Sequence, residues 1–298
     1  MHALEIKNVF KSYGTFRALN DISFNVEKGD FVGLLGVNGA GKTSLISSIA
    51  GINSFNGTIK VMGHDVISDV VQAKYNLGIV PQELAFDPFL TVYQTLKFQS
   101  GLYGVTNNKD WIDEVVERVY LKDKINSNTR SLSGGMKRRL MVAQALVHKP
   151  PLIILDEPTA GVDVEIRKSL WEFITELHNK GHTILLTTHY LEEVEKLCNK
   201  IIMIDKGNII AKSTKAELVS QSSSLPTTVQ IETSNGEFSH ELEGKIILRE
   251  GNLFTLKLDN SDELLPILNL LKIANVKIND IKINHPSLED IFINYLHR

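Results

Sequence analysis

Cysteine is almost missing from this 298-residue chain, and the single Cys198 excludes an intrachain disulfide and hence a disulfide-stapled scaffold. No stretch approaches the roughly 18 uninterrupted apolar residues that a membrane-spanning helix needs. The opening residues, Met1-His2-Ala3-Leu4-Glu5-Ile6-Lys7, lack the apolar core of a signal peptide. Charge of one sign is also scarce. The 35 acidic and 32 basic residues leave a net charge of −3, without the basic bias of a dedicated nucleic-acid binder. What is present, 43% hydrophobic and 22% charged residues, excludes wholesale disorder. The length suits one large domain or two smaller ones. The expectation is a soluble cytoplasmic protein.

Hydrophobic periodicity divides the chain. Leu4 and Ile6, then Ile22, Phe24 and Val26, repeat every second residue, which predicts antiparallel strands with one buried face. Lys28-Gly29-Asp30 reads as a turn. The runs Phe31–Leu35, Leu152–Leu155 and Thr183–Thr187 predict strands buried on both faces. Helical segments between them, one from Lys42 to about Ala50, imply crossovers and a mostly parallel sheet. From about residue 83 to 145 the patterns are helical: Val92, Leu96 and Phe98, then Trp111 to Leu121, then Met136 to Leu146. The stretch 220–226 reads as a linker. Beyond it, 227–298 carries an α+β pattern. Its strand through Val276, Ile278, Ile281 and Ile283 breaks phase at Asn279-Asp280, as at a bulge. Ser287 is placed to cap a last helix, and Cys198 reads as a packed small residue.

Gly36-Val37-Asn38-Gly39-Ala40-Gly41-Lys42-Thr43, followed by Ser44, has the glycine, lysine and hydroxyl spacing of a phosphate-binding loop between a strand and a helix. Glycines let the backbone fold around an anion with its N–H groups inward, and the helix N-terminus adds a favourable dipole. Lys42 is expected to reach the β- and γ-phosphates and Thr43 to ligate Mg²⁺. Asp156-Glu157 ends an apolar strand, at the sheet edge where this loop also lies. Asp156 is expected to hold Mg²⁺ and Glu157 to orient or deprotonate the attacking water.

Between these two motifs stands Leu132-Ser133-Gly134-Gly135-Met136, which resembles the signature of ATP-binding cassette (ABC) proteins. The resemblance runs from about Ala3 to Lys212. It implies an α/β P-loop NTPase core with a parallel sheet, an antiparallel β subdomain and a helical insertion, followed by a small C-terminal α+β domain. By it, Tyr13 is similar to the aromatic that stacks on adenine, and Gln82 to the glutamine that reaches Mg²⁺ and the attacking water. Ala160-Gly161-Val162-Asp163 resembles the loop that crosses a dimer interface, and His189 the switch histidine at the γ-phosphate. In such proteins two cassettes pack head to tail, so Ser133, Gly134 and Gly135 would meet a nucleotide held by the other cassette. Val37 and Met136 depart from the commonest family residues without removing a phosphate donor.

The resemblance therefore implies an ATPase that takes ATP and Mg²⁺ and works as a homodimer or with a paired cassette. Its nucleotide-binding domain would span 1–219. The interval from Lys42 to Ser133 is too short for the coiled coil of DNA-repair relatives, and one cassette does not match the two-cassette translation factors. A transporter ATPase remains, served by a separate permease and lying on the cytoplasmic face of the membrane. Pro286-Ser287-Leu288-Glu289-Asp290-Ile291-Phe292 resembles the closing motif of type-2 exporters. An importer subunit and a soluble non-transport ATPase are the alternatives.

Overall fold

The computed structural model describes residues 2–83, 86–188, 190–221, 227–234, 240–258, 261–284 and 286–296. The chain divides into two compact units, Met1–Lys215 and Ala216–Arg298.

The first unit opens on β1 (His2–Tyr13) and β2 (Phe16–Glu27), an antiparallel pair that buries Leu4, Ile6, Ile22, Phe24 and Val26. The period-two pattern is thus a one-faced sheet. Next come β3 (Phe31–Leu35), α1 (Lys42–Ile49), β4 (Asn56–Val61), β5 (His64–Asp65), α2 (Val70–Tyr75) and β6 (Leu77–Val80). The helical insertion follows as α3 (Val92–Leu102), α4 (Lys109–Arg118) and α5 (Gly134–Leu146). The unit continues through β7 (Leu152–Asp156), α6 (Val164–Asn179), β8 (Thr183–Thr187), α7 (Leu191–Leu197), β9 (Lys200–Asp205) and β10 (Asn208–Thr214). The helix expected at Trp111 to Leu121 instead spans Lys109–Arg118, because Tyr120, at φ +56°, turns the chain out of helical geometry.

Two sheets form. One has the order β2-β1-β4-β5 and is antiparallel; the other has the order β10-β9-β3-β8-β7-β6. In the second, every neighbouring pair from β9 to β6 is parallel, as the apolar runs predicted. All five residues of β3, β7 and β8 are buried. One hydrophobic core joins the sheets through α1, with Leu4, Ile6 and Phe24 on one side, Val32, Leu34 and Ile154 on the other, and Leu45 and Ile49 on the helix. Each such side chain contributes about 1.5–3 kcal/mol when fully buried. The insertion is anchored to β6 at Gly78, where a Cβ would lie 2.4 Å from the carbonyl oxygen of Ala145 in α5. Cys198 is buried and free, packed against β3 at Gly33.

The second unit starts near α8 (Lys215–Gln221), so Ser220 and Gln221 of the expected linker end a helix, and residues 222–226 lie outside the described residues. It continues with β11 (Thr227–Thr233), β12 (Ile246–Glu250), β13 (Leu253–Leu258), α9 (Leu264–Ile273), β14 (Ile278–Asn284) and α10 (Leu288–Leu296). Its strands order as β12-β13-β11-β14 over a core of Val229, Ile231, Phe254, Leu256 and Leu271. Glu232 pairs with Asp280 and Thr233 with Ile278, which leaves Asn279 as the bulge that the phase break predicts. Ser287 caps α10 reciprocally: its hydroxyl accepts from the Asp290 N–H at 3.1 Å, and the Asp290 carboxylate accepts from the Ser287 N–H at 3.0 Å.

Candidate functional site

The carboxyl ends of β3, β6 and β7 lie on one edge of the parallel sheet, and the loops that leave them share one cleft. Its volume is about 420 Å³. Asn38, Gly39, Gly41, Lys42, Thr43 and Ser44 line it from the phosphate loop, Gln82 from the segment after β6, and Asp156 and Glu157 from the end of β7.

The phosphate loop is held from behind. The Ala40 carbonyl accepts from the Gly207 N–H at 2.9 Å, and Gly41 is the N-cap of α1. Gly41 has φ +111°, and a Cβ there would sit 2.6 Å from the Ala18 carbonyl oxygen, so both conformation and space demand glycine. Lys42 Nζ donates to the Gly36 carbonyl at 2.6 Å and to the Val37 carbonyl at 3.1 Å. Burial holds the Lys42 ammonium below its usual pKa, while the Glu157 and Asp156 carboxylates oppose that shift.

Asp156 is buried, and its carboxylate accepts a hydrogen bond from the Thr187 hydroxyl. Desolvation raises its pKa above the usual carboxylate value. The Thr187 bond lowers it, the neighbouring Glu157 charge raises it, and Arg138 and Lys42 lower it. Glu157 is half-buried and sits at φ +50°, a conformation that a non-glycine residue adopts only where its surroundings dictate it. Its N–H donates to the Thr187 carbonyl at 2.9 Å, and its own carbonyl accepts from Arg138 Nε at 3.0 Å. Among the described residues, no three His, Cys, Asp or Glu side chains cluster as a metal cage. The Asp156 carboxylate, Thr43 hydroxyl and Gln82 amide form a sparse oxygen donor set, which suits Mg²⁺ carried in with phosphates.

Other residues singled out in the sequence stand elsewhere. Ser133 and Gly134 are exposed at the start of α5, where the Ser133 hydroxyl accepts from the Met136 N–H at 3.3 Å. Gly135 abuts the loop after β7, since a Cβ there would be 3.2 Å from the Gly161 carbonyl oxygen. Asp163 is exposed at the head of α6. None of these four lines the cleft. Nor does Tyr13, whose hydroxyl accepts from Asn53 Nδ2 at 2.9 Å and whose ring lies under the Lys11 ammonium, 4.7 Å away. The aromatic on the cleft wall is Phe16, across the β1–β2 turn. His189 lies outside the described residues.

Phe16, Thr187 and Arg138 at or beside the cleft belong to none of the sequence motifs. For Arg138 a signal exists: Arg138 and Arg139 interrupt the inward face of α5, and both are buried. Buried arginines need partners, so they mark a structural or chemical task.

Comparison with known proteins fits this geometry. Residues 19–160 match the family described as ABC transporter, and residues 222–296 match the C-terminal domain of DrrA1-3-like ATP-binding proteins. The linearmycin resistance ATP-binding protein LnrL of Bacillus subtilis (strain 168) is 35% identical, over 99% of this chain and 98% of its own. The Nod factor export ATP-binding protein I of Cupriavidus metallidurans is 37% identical, over 72% of each chain. Among solved structures, the ATP-binding subunit of an ABC transporter superposes with a TM-score of 0.70 at 29% identity, covering 74% of this chain and 92% of that one.

Proposed function

The chain belongs to the ABC transporter family, and we propose that it is the ATP-hydrolysing subunit of an exporter, driving a separate membrane permease. The observation that carries this reading is the convergence of Lys42, Gln82, Asp156 and Glu157 on one cleft at the carboxyl edge of the parallel sheet. A cationic loop, a buried carboxylate and a second carboxylate held in a dictated conformation are what phosphoryl transfer to water requires.

In this reading the loop from Gly36 to Ser44 cradles the phosphates and Lys42 exchanges its two backbone carbonyls for phosphate oxygens. Thr43, Asp156 and Gln82 would hold Mg²⁺, which when bound offsets phosphate charge. Glu157 accepts the proton of the attacking water, oriented by Gln82 and His189. Ser133, Gly134, Gly135 and Asp163 face a nucleotide on a second cassette, most simply another copy of this chain. Their position outside this chain's own cleft lining supports that assignment. ATP then closes the pair head to tail, and hydrolysis reopens it. Residues 1–219 form the motor, with its helical insertion at about 83–145, and 227–298 an accessory domain.

Among the described residues, no helix is long and apolar enough to cross a membrane, so the reading assigns the translocation path to a partner. A groove of about 380 Å³ between the sheet and the insertion, lined by Ile52, Pro81, Tyr103 and Met141, supports docking of that partner beside Gln82. Ile52 on its wall is exposed, as are Phe98 and Leu102 on α3. Export is supported by relatives named for resistance and export, and by the match of residues 222–296. The test is ATP titration and phosphate release by the wild-type chain and Lys42→Ala, with co-purification of any membrane permease found encoded beside it. Wild-type ATP affinity in Lys42→Ala removes the phosphate-loop assignment. A neighbouring solute-binding protein in place of a permease alone turns the reading to import.

A further inference from the structure

Arg138 makes five hydrogen bonds beside the cleft, yet it does not line it. It lies on the second turn of α5 and is buried. Its Nη1 donates to the Pro81 carbonyl at 2.6 Å and to the Gln82 carbonyl at 3.0 Å. Its Nε and Nη2 both donate to the Glu157 carbonyl, and Nη2 also to the Asp156 carbonyl. One guanidinium thus gathers four carbonyls from two chain segments, those that present Gln82 and the Asp156-Glu157 pair. A planar fork with five N–H groups can do this, whereas a lysine ammonium with three donors at one point cannot span it. The φ of +50° at Glu157 also needs an external brace, and Arg138 binds that same residue's carbonyl.

The geometry points to Arg138 as a positioning residue for hydrolysis, one that fixes the backbones of Gln82 and Glu157 to the helix that begins at Gly134. The inference rests on the reading of Glu157 as the general base. Arg138 touches no phosphate-loop residue in its hydrogen bonds, so its loss should spare nucleotide affinity and strike turnover. The neighbouring Arg139 supplies the control. It is also buried in α5, but its Nη1 donates to the Val119 and Tyr120 carbonyls at 2.9 and 2.7 Å, inside the helical insertion.

The experiment compares Arg138→Gln, Arg138→Lys and Arg139→Gln in the full chain, measuring melting temperature, ATP affinity and phosphate release at saturating ATP. The expected result for Arg138→Gln is a kcat lower by about tenfold or more, since small misplacements of reacting groups are costly, with ATP affinity within about threefold of wild type. Arg138→Lys keeps the charge and should remain well below wild-type kcat; being the milder change, it also carries the comparison if Arg138→Gln does not fold. Added guanidinium at sub-denaturing concentration should raise the rate of Arg138→Ala and not of Arg139→Ala. Wild-type kcat in folded Arg138→Lys overturns the inference. So does a loss in Arg139→Gln as large as in Arg138→Gln at the same melting temperature. Failure of the underlying reading is separate, and appears as equal phosphate release by the wild type and Glu157→Gln.

Discussion

Replacing Glu157 by glutamine removes proton acceptance and little else. The backbone that aims the side chain is fixed by the Thr187 carbonyl and by Arg138, both of which bind main-chain atoms of residue 157, so the substituted glutamine inherits the same placement. Its amide is the same size and can still hydrogen-bond a water. Loss of a general base costs about 10²–10⁴ in rate, which converts to roughly 3–5 kcal/mol of barrier. Lys42 and the loop glycines are untouched, so ATP binds as before and is not consumed. At ATP about one hundred times its Kd, a bound and unhydrolysed ligand adds about 2.7 kcal/mol of stability. For a unit of this size that is a rise of roughly 5–10 °C in melting temperature. Phosphate release, thermal melting and size-exclusion chromatography with ATP and Mg²⁺ read the three consequences together. The expected protein is nearly inactive, strongly stabilised by ATP and persistently dimeric. A Glu157→Gln chain that stays monomeric and hydrolyses ATP at the wild-type rate would remove Glu157 from the mechanism, leaving it to Gln82 and His189.

Three further outcomes follow from the same geometry. Asp156→Asn should raise the melting temperature at pH 7 without nucleotide while abolishing stabilisation by ATP and Mg²⁺. Burial holds the Asp156 pKa above its unfolded value, so ionisation destabilises the native state, a penalty absent below the unfolded pKa and complete above the raised one. The gain over wild type should therefore shrink as pH falls from the raised pKa towards about 4 and vanish below it, and a variant less stable than wild type at pH 7 contradicts this. Ser133→Arg should leave ATP affinity of the monomer intact but prevent ATP-driven dimers, even combined with Glu157→Gln; normal dimers on a sizing column would rule out the shared site. Glu193→Ala should cost roughly 2–4 kcal/mol in urea denaturation, because the buried Thr159 hydroxyl and Trp171 indole N–H both donate to the Glu193 carboxylate, and each orphaned donor costs about 1–3 kcal/mol. A loss below about 0.5 kcal/mol would show that these groups find other partners.

Much of this was legible because it is local. Fully apolar runs became fully buried parallel strands, and the spacing from Gly36 to Thr43 marked the loop without any knowledge of its partners. Even the Asn279 bulge showed as a break in phase. What escaped is what depends on distant chain. Tyr13 and Phe16 flank one tight turn, and sequence offers no way to tell which ring reaches the cleft wall; β-strand register and the Asn53 contact decide it. Arg138 carries no motif signal of its role, because its four acceptors come from segments far away in sequence. The short strands β4, β5 and β6 lacked distinctive runs, and Gly78 in β6 gives up a side chain to admit α5.

The strand order has a consequence in time. Within the parallel sheet, β3 lies between β9 and β8, and β7 between β8 and β6, so the neighbours that complete the cleft are made long after the phosphate loop. On a ribosome, Lys42 emerges well before Asp156, and the strand carrying Thr187 comes later still. Such long-range pairing is slow and leaves apolar strand edges uncovered in the interval. Nucleotide cannot act as a folding template for the early chain, because the carboxylate side of its pocket does not yet exist. ATP can stabilise this protein only once most of it has been made, and the nascent first half must rely on its own antiparallel sheet, or on chaperones, until then.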